Sequence, residues 1–341
     1  MSKKSTINDI AQQLGVSKSL VSFVLTGKSE EKRIATETSQ KVLELAEELN
    51  YTPNYHAKSL RKGKPNTLGV IVADISNPFF ATIARHVEIE ASKIGYRVVF
   101  SNSNEDPQTF KTQLDILKSG QVDGFILTPP IGSEKVLLDL NEQNIPYVIV
   151  DRLFESVEAH SVNVKNYQAA YKATERIIQN HRKKIALINV NYELLTMKQR
   201  AEGYIDALED NGIEINESLI KHLNFSHDKN LLMEVMKDIV QNGADGVLFT
   251  TNKLGVYGIE CLRELGMETF ENMSVISFDD TLTYRVSYVP ITAIEQPFGQ
   301  ISKEAVRILA NAIDGNYSKR QYESLELDVE FNYRESCKKL F

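Results

Sequence analysis

Several short polar clusters in this 341-residue chain follow apolar runs, and their residue types are those of a recognition site. Asp74, Ser76, Asn77 and Phe79 come after TLGVIVA, Asp151 and Arg152 after PYVIV, Asn252 after GVLFTT, and Asp279–Asp280 after VISF. Arg200 opens the helical stretch RAEGYIDAL. Carboxylates, amides and a guanidinium fork suit two-point hydrogen bonding to a small polar molecule. They suit catalysis less well. Asp279 and Asp280 are the nearest acid–base pair, but neighbours at a strand end point to opposite sides and cannot easily flank one bond. No G-x-S-x-G, H-E-x-x-H or G-x-G-x-x-G is present. The closest histidines, His222 and His227, miss the i, i+4 spacing of a helical metal site. The GKS of GKSEEKRIATET has Ser22, not glycine, five residues before Gly27, so it is no phosphate-binding loop. The expectation is a binding protein that is not an enzyme and has no metal or cofactor.

Parallel sheets must position these clusters. From Thr67 onward, strands are predicted at TLGVIVA, YRVVFSN, DGFILT, PYVIVD, KIALINV, DGVLFTT and MSVISF. Helical stretches separate them at Pro78–Lys93, Phe110–Ser119, Tyr167–Gln179 and Gln199–Asn211. Continuously apolar strands alternating with helices mean sheets covered on both faces. The segment is too long for one sheet, so two similar lobes are expected, meeting near Asn163–Lys165. Ligands of such sheets sit at the carboxyl ends of the strands. Any one of the polar residues above is ordinarily a cap or a surface group; their recurrence at corresponding edges of both lobes favours a ligand site.

The amino-terminal part differs. Residues 1–64 hold 11 Lys and Arg against 7 Asp and Glu, a net +4, whereas the remainder holds 28 against 39, a net −11. Thr6 with Asp9 reads as a capping box, with Ile7, Ile10 and Leu14 at helical spacing until Gly15. Ser17 caps a second helix with Leu20, Val21, Val24 and Leu25 on its core face. Its outer face carries Lys18, Ser19, Ser22 and, unexpectedly, Phe23. A third helix runs from about Thr36 to Leu49. Two short helices joined by a tight turn form a helix-turn-helix, whose second helix enters the major groove. YTPNYHAKSLRKGKPNT, with four cations and little apolar surface, reads as a hinge that folds on a polyanion.

TINDIAQQLGVSKSLVSFVLTGK followed by VLELAEELNYTPNYHAKSLRKGKPNTLGVIVADISNPFF resembles the lactose-repressor (LacI/GalR) family of bacterial regulators, and the similarity extends over essentially the whole chain. The resemblance implies an all-α helix-turn-helix headpiece (1–52), a hinge (53–66) and an α/β effector domain (67–341). That domain has the two-lobed periplasmic-binding-protein fold with parallel sheets: an N-lobe of about 67–163 and 295–322, and a C-lobe of about 164–292 and 325–341. It implies DNA contacts from Thr6, Ser17, Lys18, Ser19, Ser22 and Phe23, and from Asn54, His56, Ala57 and Leu60 of the hinge. Leu60 would be a wedge that unstacks a base step in the minor groove. It implies an effector set of Asp74, Asn77, Phe79, Asp151, Arg152, Arg200, Phe225, Asn252, Asp279 and Gln296, with Phe298 backing the ligand. The chain departs from the family at Phe23, where arginine is common, so Phe23 is expected to favour a thymine methyl. It departs also at Thr26, at Lys165, Ala169 and Lys253, and in a GKSEEKRIATET linker a few residues longer than usual.

The sequence thus reads as a DNA-binding transcriptional repressor of a near-palindromic duplex operator. It would act as a homodimer and be controlled by a small-molecule effector, a carbohydrate or derivative. Interface helices are expected near Pro78 and Asp106, without a tetramer-forming coiled coil. Alternatives are a periplasmic-type solute-binding protein, or a regulator with a nucleoside, purine or protein co-effector. Two widely spaced cysteines, no signal-peptide pattern and no membrane-length apolar run point to a cytoplasmic, nucleoid-associated protein without membrane partners. Leu60→Ala is expected to weaken operator binding by a few kcal/mol while ligand binding persists; titrating duplex and ligand against the variant checks both.

Overall fold

Thr6 starts the first helix as its spacing predicts: its N–H donates to the Asp9 carboxylate at 2.7 Å. Helix α1 spans Ile7–Gln13, and Gly15, at φ +62°, supplies the left-handed turn that ends it. Ser17 Oγ then accepts from Leu20 N–H at 3.1 Å to cap α2, Lys18–Leu25. With α3, Thr36–Glu48, these helices bury Ile10, Val21, Val24, Val42 and Ala46, and Ile34 of the linker packs on the same core. The computed structural model describes residues 6–49, 51, 66–190, 194–223, 229–317 and 321–338. Hinge residues Asn54, His56, Ala57 and Leu60, and Phe225 of the effector set, lie outside the described residues.

The chain divides into two compact units, Met1–Pro65 and Asn66–Phe341. The second contains two six-stranded sheets. Strands β1 (Thr67–Val72), β2 (Arg97–Asn102), β3 (Gly124–Leu127), β4 (Tyr147–Val150), β5 (His160–Val164) and β11 (Ser324–Leu327) form an all-parallel sheet ordered β11-β5-β4-β3-β1-β2. Strands β6 (Ile185–Val190), β7 (Ile220–Leu223), β8 (Gly246–Phe249), β9 (Ser274–Phe278), β10 (Thr292–Glu295) and β12 (Glu330–Asn332) form the other, ordered β12-β10-β9-β8-β6-β7. Only β12 is antiparallel to its neighbour there. The inner strands of each sheet are covered on both faces, which is why β1, β3, β4, β6, β8 and β9 are buried almost throughout and read as continuous apolar runs, whereas Val99 and Phe100 of the edge strand β2 are exposed.

Helices follow the strands: α4 (Pro78–Lys93), α5 (Pro107–Ser119), α6 (Glu134–Glu142), α7 (Asn166–Gln179), α8 (Leu195–Asp210), α9 (Lys229–Gln241), α10 (Asn252–Leu265), α11 (Met267–Asn272), α12 (Leu282–Val286) and α13 (Phe298–Ile313). Two expectations change. Arg200 does not open its helix; α8 begins five residues earlier, at Leu195, which leaves Arg200 inside the helix and almost fully buried. The last crossing between lobes falls later than Glu323, because Ser324–Leu327 pairs with His160–Val164 in the N-lobe sheet before β12 joins the C-lobe. Strands β5, β7, β10, β11 and β12 carry polar or exposed residues that hide them from an apolar-run search.

Helices α7 and α8 approach closely where Gly203 faces backbone: a Cβ there would stand 2.2 Å from Tyr167 O and 3.0 Å from Tyr171 N. Gly203→Ala is therefore expected to cost about 1–3 kcal/mol or more through overpacking, read as a lower midpoint in chemical denaturation.

Candidate functional site

The outer face of α2 carries the expected polar group. Lys18 and Ser19 are exposed, Ser22 is half-buried, and Thr26 Oγ donates back to Ser22 O at 2.8 Å, which occupies that carbonyl. Ser17 is exposed, but its hydroxyl is engaged in the cap. Thr6 is likewise exposed, its hydroxyl directed to Asp9. Phe23 is only half-exposed: Lys32 from the linker lies over its ring, Nζ 5.6 Å from the centroid.

In the second unit, the carboxyl ends of β1, β4, β8 and β9 converge on one cavity, at the point where strand order reverses in each sheet. Eight of the ten residues of the expected effector set line it: Asp74, Asn77, Phe79, Asp151, Arg152, Arg200, Asn252 and Asp279. Gln296 stands behind the wall, donating to Asp279 Oδ1 at 2.7 Å. Phe298 also stands back, edge-on to Phe79 with ring centroids 5.5 Å apart. The lining further includes Phe80, Glu105, Met197, Thr251 and Lys253. Of these only Lys253 stood out in sequence. Phe80 and Glu105 had a retrievable signal, each lying within a few residues of a carboxyl strand end. Met197 did not: it enters because α8 starts early.

Arg200 is the centre of the arrangement. Its Nε donates to Asn166 Oδ1 at 2.8 Å, Nη1 donates to Thr250 O, and the guanidinium lies 4.0 Å over the Phe278 ring. Nη2 is buried and has no protein partner among the described residues. Asp279 and Asp151 end β9 and β4 in left-handed backbone, at φ +63° and +69°. Burial raises the pKa of both, against the pull of Arg200 on each, of Arg152 on Asp151 and of the Gln296 hydrogen bond on Asp279; Asp151 is pushed up to about 6. Asp280 points elsewhere, bound by Arg334 and Arg285, which ends its candidacy as an acid–base partner of Asp279.

The remaining charges pair off. Arg152 makes a two-pronged bond to Glu105 and lies 5.3 Å over the Phe80 ring. Lys253 reaches across from the C-lobe to Asp74 at 3.4 Å. Burial raises the pKa of Asp74, but hydrogen bonds from Ser76 and the Lys253 charge leave it below the usual range. Beside them Asn252 Nδ2 donates to Asn77 Oδ1 at 2.7 Å, and Asn77 Nδ2 returns a bond at 3.3 Å. The two lobes are thus clasped at the cleft, and the cavity between them is about 50 Å³. Pockets for drug-sized ligands run from about 300 Å³ upward, so the lobes must part to admit a molecule of that size. Lys165 takes no part: it pairs with Asp328 at 2.9 Å, outside the lining, so its departure from the family pattern does not alter the cleft.

Comparison with known proteins agrees with this geometry. Residues 65–238, just over half the chain, match the model for periplasmic binding proteins and the sugar-binding domain of the LacI family. Residues 6–54 match that for bacterial regulatory proteins of the lacI family. The chain belongs to the LacI family. Among its relatives, the regulator DegA of Bacillus subtilis (strain 168) is 28% identical over 321 residues, 93% of this chain and 94% of that one. Catabolite control protein A of Staphylococcus epidermidis (strain ATCC 12228 / FDA PCI 1200) is 29% identical, covering 89% and 91%. The Lac repressor dimer bound to operator and an anti-inducer shares the fold at TM-score 0.84 and 21% identity, covering 99% of this chain and 100% of that one. As a LacI-family member, the protein is a DNA-binding transcriptional regulator with a periplasmic-binding-protein-like domain, and the solute-binding-protein alternative is not favoured.

The raised pKa of Asp151 gives a signed prediction. The folded state keeps its proton to about pH 6, the unfolded chain only to about pH 4. Its contribution to stability is therefore present below about pH 4 and lost as pH rises through 6. Asp151→Asn removes that titration. The melting temperature of the variant relative to wild type is expected to rise between about pH 4 and pH 7.5, reflecting at most about 3 kcal/mol.

Proposed function

We propose that this regulator represses transcription as a homodimer on a near-palindromic operator, and that an uncharged polyhydroxylated small molecule, a sugar or sugar derivative, controls it through the cleft. The headpiece (1–52) and hinge (53–66) bind DNA, and the effector domain (67–341) senses the ligand. The observation that carries the ligand reading is the unpartnered, buried Nη2 of Arg200, a residue that lines the same small cavity as Asp151 and Asp279. A donor stranded there costs free energy until an acceptor reaches it. A sugar hydroxyl accepts from Arg200 and donates to a carboxylate at once.

Charge balance favours a neutral ligand. Glu105 holds Arg152, Asp74 holds Lys253, and two carboxylates accompany Arg200, so four acids oppose three cations in the lining. A phosphate would have to break one of these pairs. Phe79 and Phe80 supply the apolar face that a pyranose ring presents its C–H groups to. No catalytic step is needed in this reading, since the carboxylates recognise and do not transform. DNA binding rests on the exposed Lys18 and Ser19 of α2 together with the match of residues 6–54 to the family's regulatory domain. A single helix-turn-helix reads few base pairs, so two copies on a symmetric site supply specificity. The cytoplasm, at the nucleoid, is where such a regulator acts.

The test is a calorimetric screen of neutral sugars, sugar phosphates and nucleosides against wild type and Arg200→Ala. One charge-assisted hydrogen bond is worth about 1.5–3 kcal/mol, so the substitution should weaken binding of the active compound at least tenfold. Because Arg200 is buried, Arg200→Lys, which keeps the charge but loses Nη2, is measured beside it, and circular dichroism with operator titration in the absence of ligand checks that each variant remains folded and binds DNA as wild type. A nucleoside or sugar phosphate binding instead of neutral sugars would overturn the ligand class. The absence of any binding that Arg200→Ala abolishes would transfer the role to a protein co-effector.

A further inference from the structure

Phe23 stands on the outer face of the second helix, where a residue that reads bases is expected, yet half of it is covered. The linker reaches it with Lys32. After α2 the chain makes a closed turn: Lys28 N–H donates to Phe23 O at 2.9 Å, Lys32 N–H to Lys28 O at 3.0 Å, and Ile34 N–H to Ser29 O at 2.8 Å. Arg33 takes a left-handed conformation, φ +51°, to bring Ile34 back onto the headpiece core. The linker is thereby closed on itself and tied to the end of α2, and it brings Lys32 Nζ to 5.6 Å from the Phe23 ring centroid. That is within the range of a cation–π interaction.

We propose that Phe23 is a positioning residue and not a base reader: its ring holds Lys32 at the edge of α2, where the ammonium takes a DNA phosphate. This rests on α2 being the recognition helix. Where the family commonly has arginine, the positive donor has moved from the helix to the linker. An arginine at 23 would repel Lys32, whereas an aromatic face attracts it. The ion pairs around Lys32 do not oppose the role. Glu31 is shared between Lys32 at 3.0 Å and Lys28 at 3.6 Å, and all three side chains are about half exposed. Such pairs are weak and readily exchanged for a phosphate.

The test uses the full chain and duplexes recovered from a randomised library by selection on the wild-type protein. Each phosphate contact contributes about 0.9 to the slope of log affinity against log salt, so losing one lowers the affinity ratio between about 50 and 200 mM salt by about 3.5-fold. Lys32→Ala and Phe23→Leu, which keeps apolar volume but loses the π face, should each show this loss. The double variant should lose no more than either alone, and Phe23→Tyr should bind as wild type. Reselection on Phe23→Leu should return the same base preferences. A changed base preference at one position with an unchanged salt slope would overturn the proposal and make Phe23 a base reader. Additive losses in the double variant would also overturn it. Lys18→Ala separates the two levels. If it weakens binding while Lys32→Ala and Phe23→Leu do not, the proposal fails and the recognition-helix reading stands; if none of the three matters, both fail.

Discussion

A buried guanidinium cannot be left without counter-charge, and in this protein that requirement organises the effector domain. Arg200 is withdrawn from water inside α8, and the elements around it answer the cost. Asn166 at the start of α7 takes Nε, the carbonyl of Thr250 after β8 takes Nη1, and the Phe278 ring from β9 lies against the flat face. Asp279 and Asp151 bring compensating charge from one lobe each. Three strand ends and the helix α7 are thus located relative to one side chain of α8. One donor, Nη2, remains unmatched among the described residues.

The same economy explains why the polar residues sit where they do. A parallel sheet covered on both faces has no tolerance for charge along its strands, so polar groups collect at the strand ends, where backbone turns into helices. At β4 and β9 the turn is made in left-handed backbone by aspartates, which tolerate that region better than most residues. The strain is small and the result is useful: each carboxylate is swung from the sheet into the cleft. At β1 the Asp74–Asn77 segment turns instead into the cap of α4, with Asn77 Oδ1 accepting from Phe79 N–H at 3.0 Å. That oxygen also meets Asn252 across the cleft, so one amide both starts a helix and ties the lobes.

Such ties bear on signalling. At the cleft mouth the lobes meet through an amide pair and a partly exposed ion pair, interactions individually worth about 1 kcal/mol. Behind it Leu195 N–H donates to Leu153 O at 3.1 Å, Lys198 pairs with Glu155 at 2.8 Å, and Val190, Leu194 and Met197 pack on the N-lobe core. A ligand at such a cleft shifts the equilibrium between lobe arrangements by its difference in affinity for the two states. Lys253 makes this clasp ionic. Aspartate, the residue usual in the family there, would place two carboxylates at the cleft mouth beside Asp74 and press the lobes apart.

Periodicity and turn chemistry determined much of this protein on their own. The capping box of α1, the cap and core face of α2 and seven largely apolar strands follow from local rules, because strand burial and helix capping leave local marks. Six lining residues of the cleft, Asp74, Asn77, Asp151, Arg152, Asn252 and Asp279, were legible for the same reason: they follow apolar strands closely, whereas Arg200 was singled out as the opening of a helix that begins earlier. Tertiary structure decided the rest. The polar strands β5, β10 and β12 exist because neighbours pair with them, which no local pattern records. Whether Asp279 or Asp280 faces the cleft depended on which one Arg334 and Arg285 claim. Gln296 and Phe298 look like lining residues in sequence but stand behind the wall, since a residue's distance from a ligand depends on what packs in front of it. Phe23 is the clearest case. Its place on the outer face of a helix was readable from a 100° period, but what reaches it depended on where a linker folds, and that is settled by contacts between residues remote in the pattern.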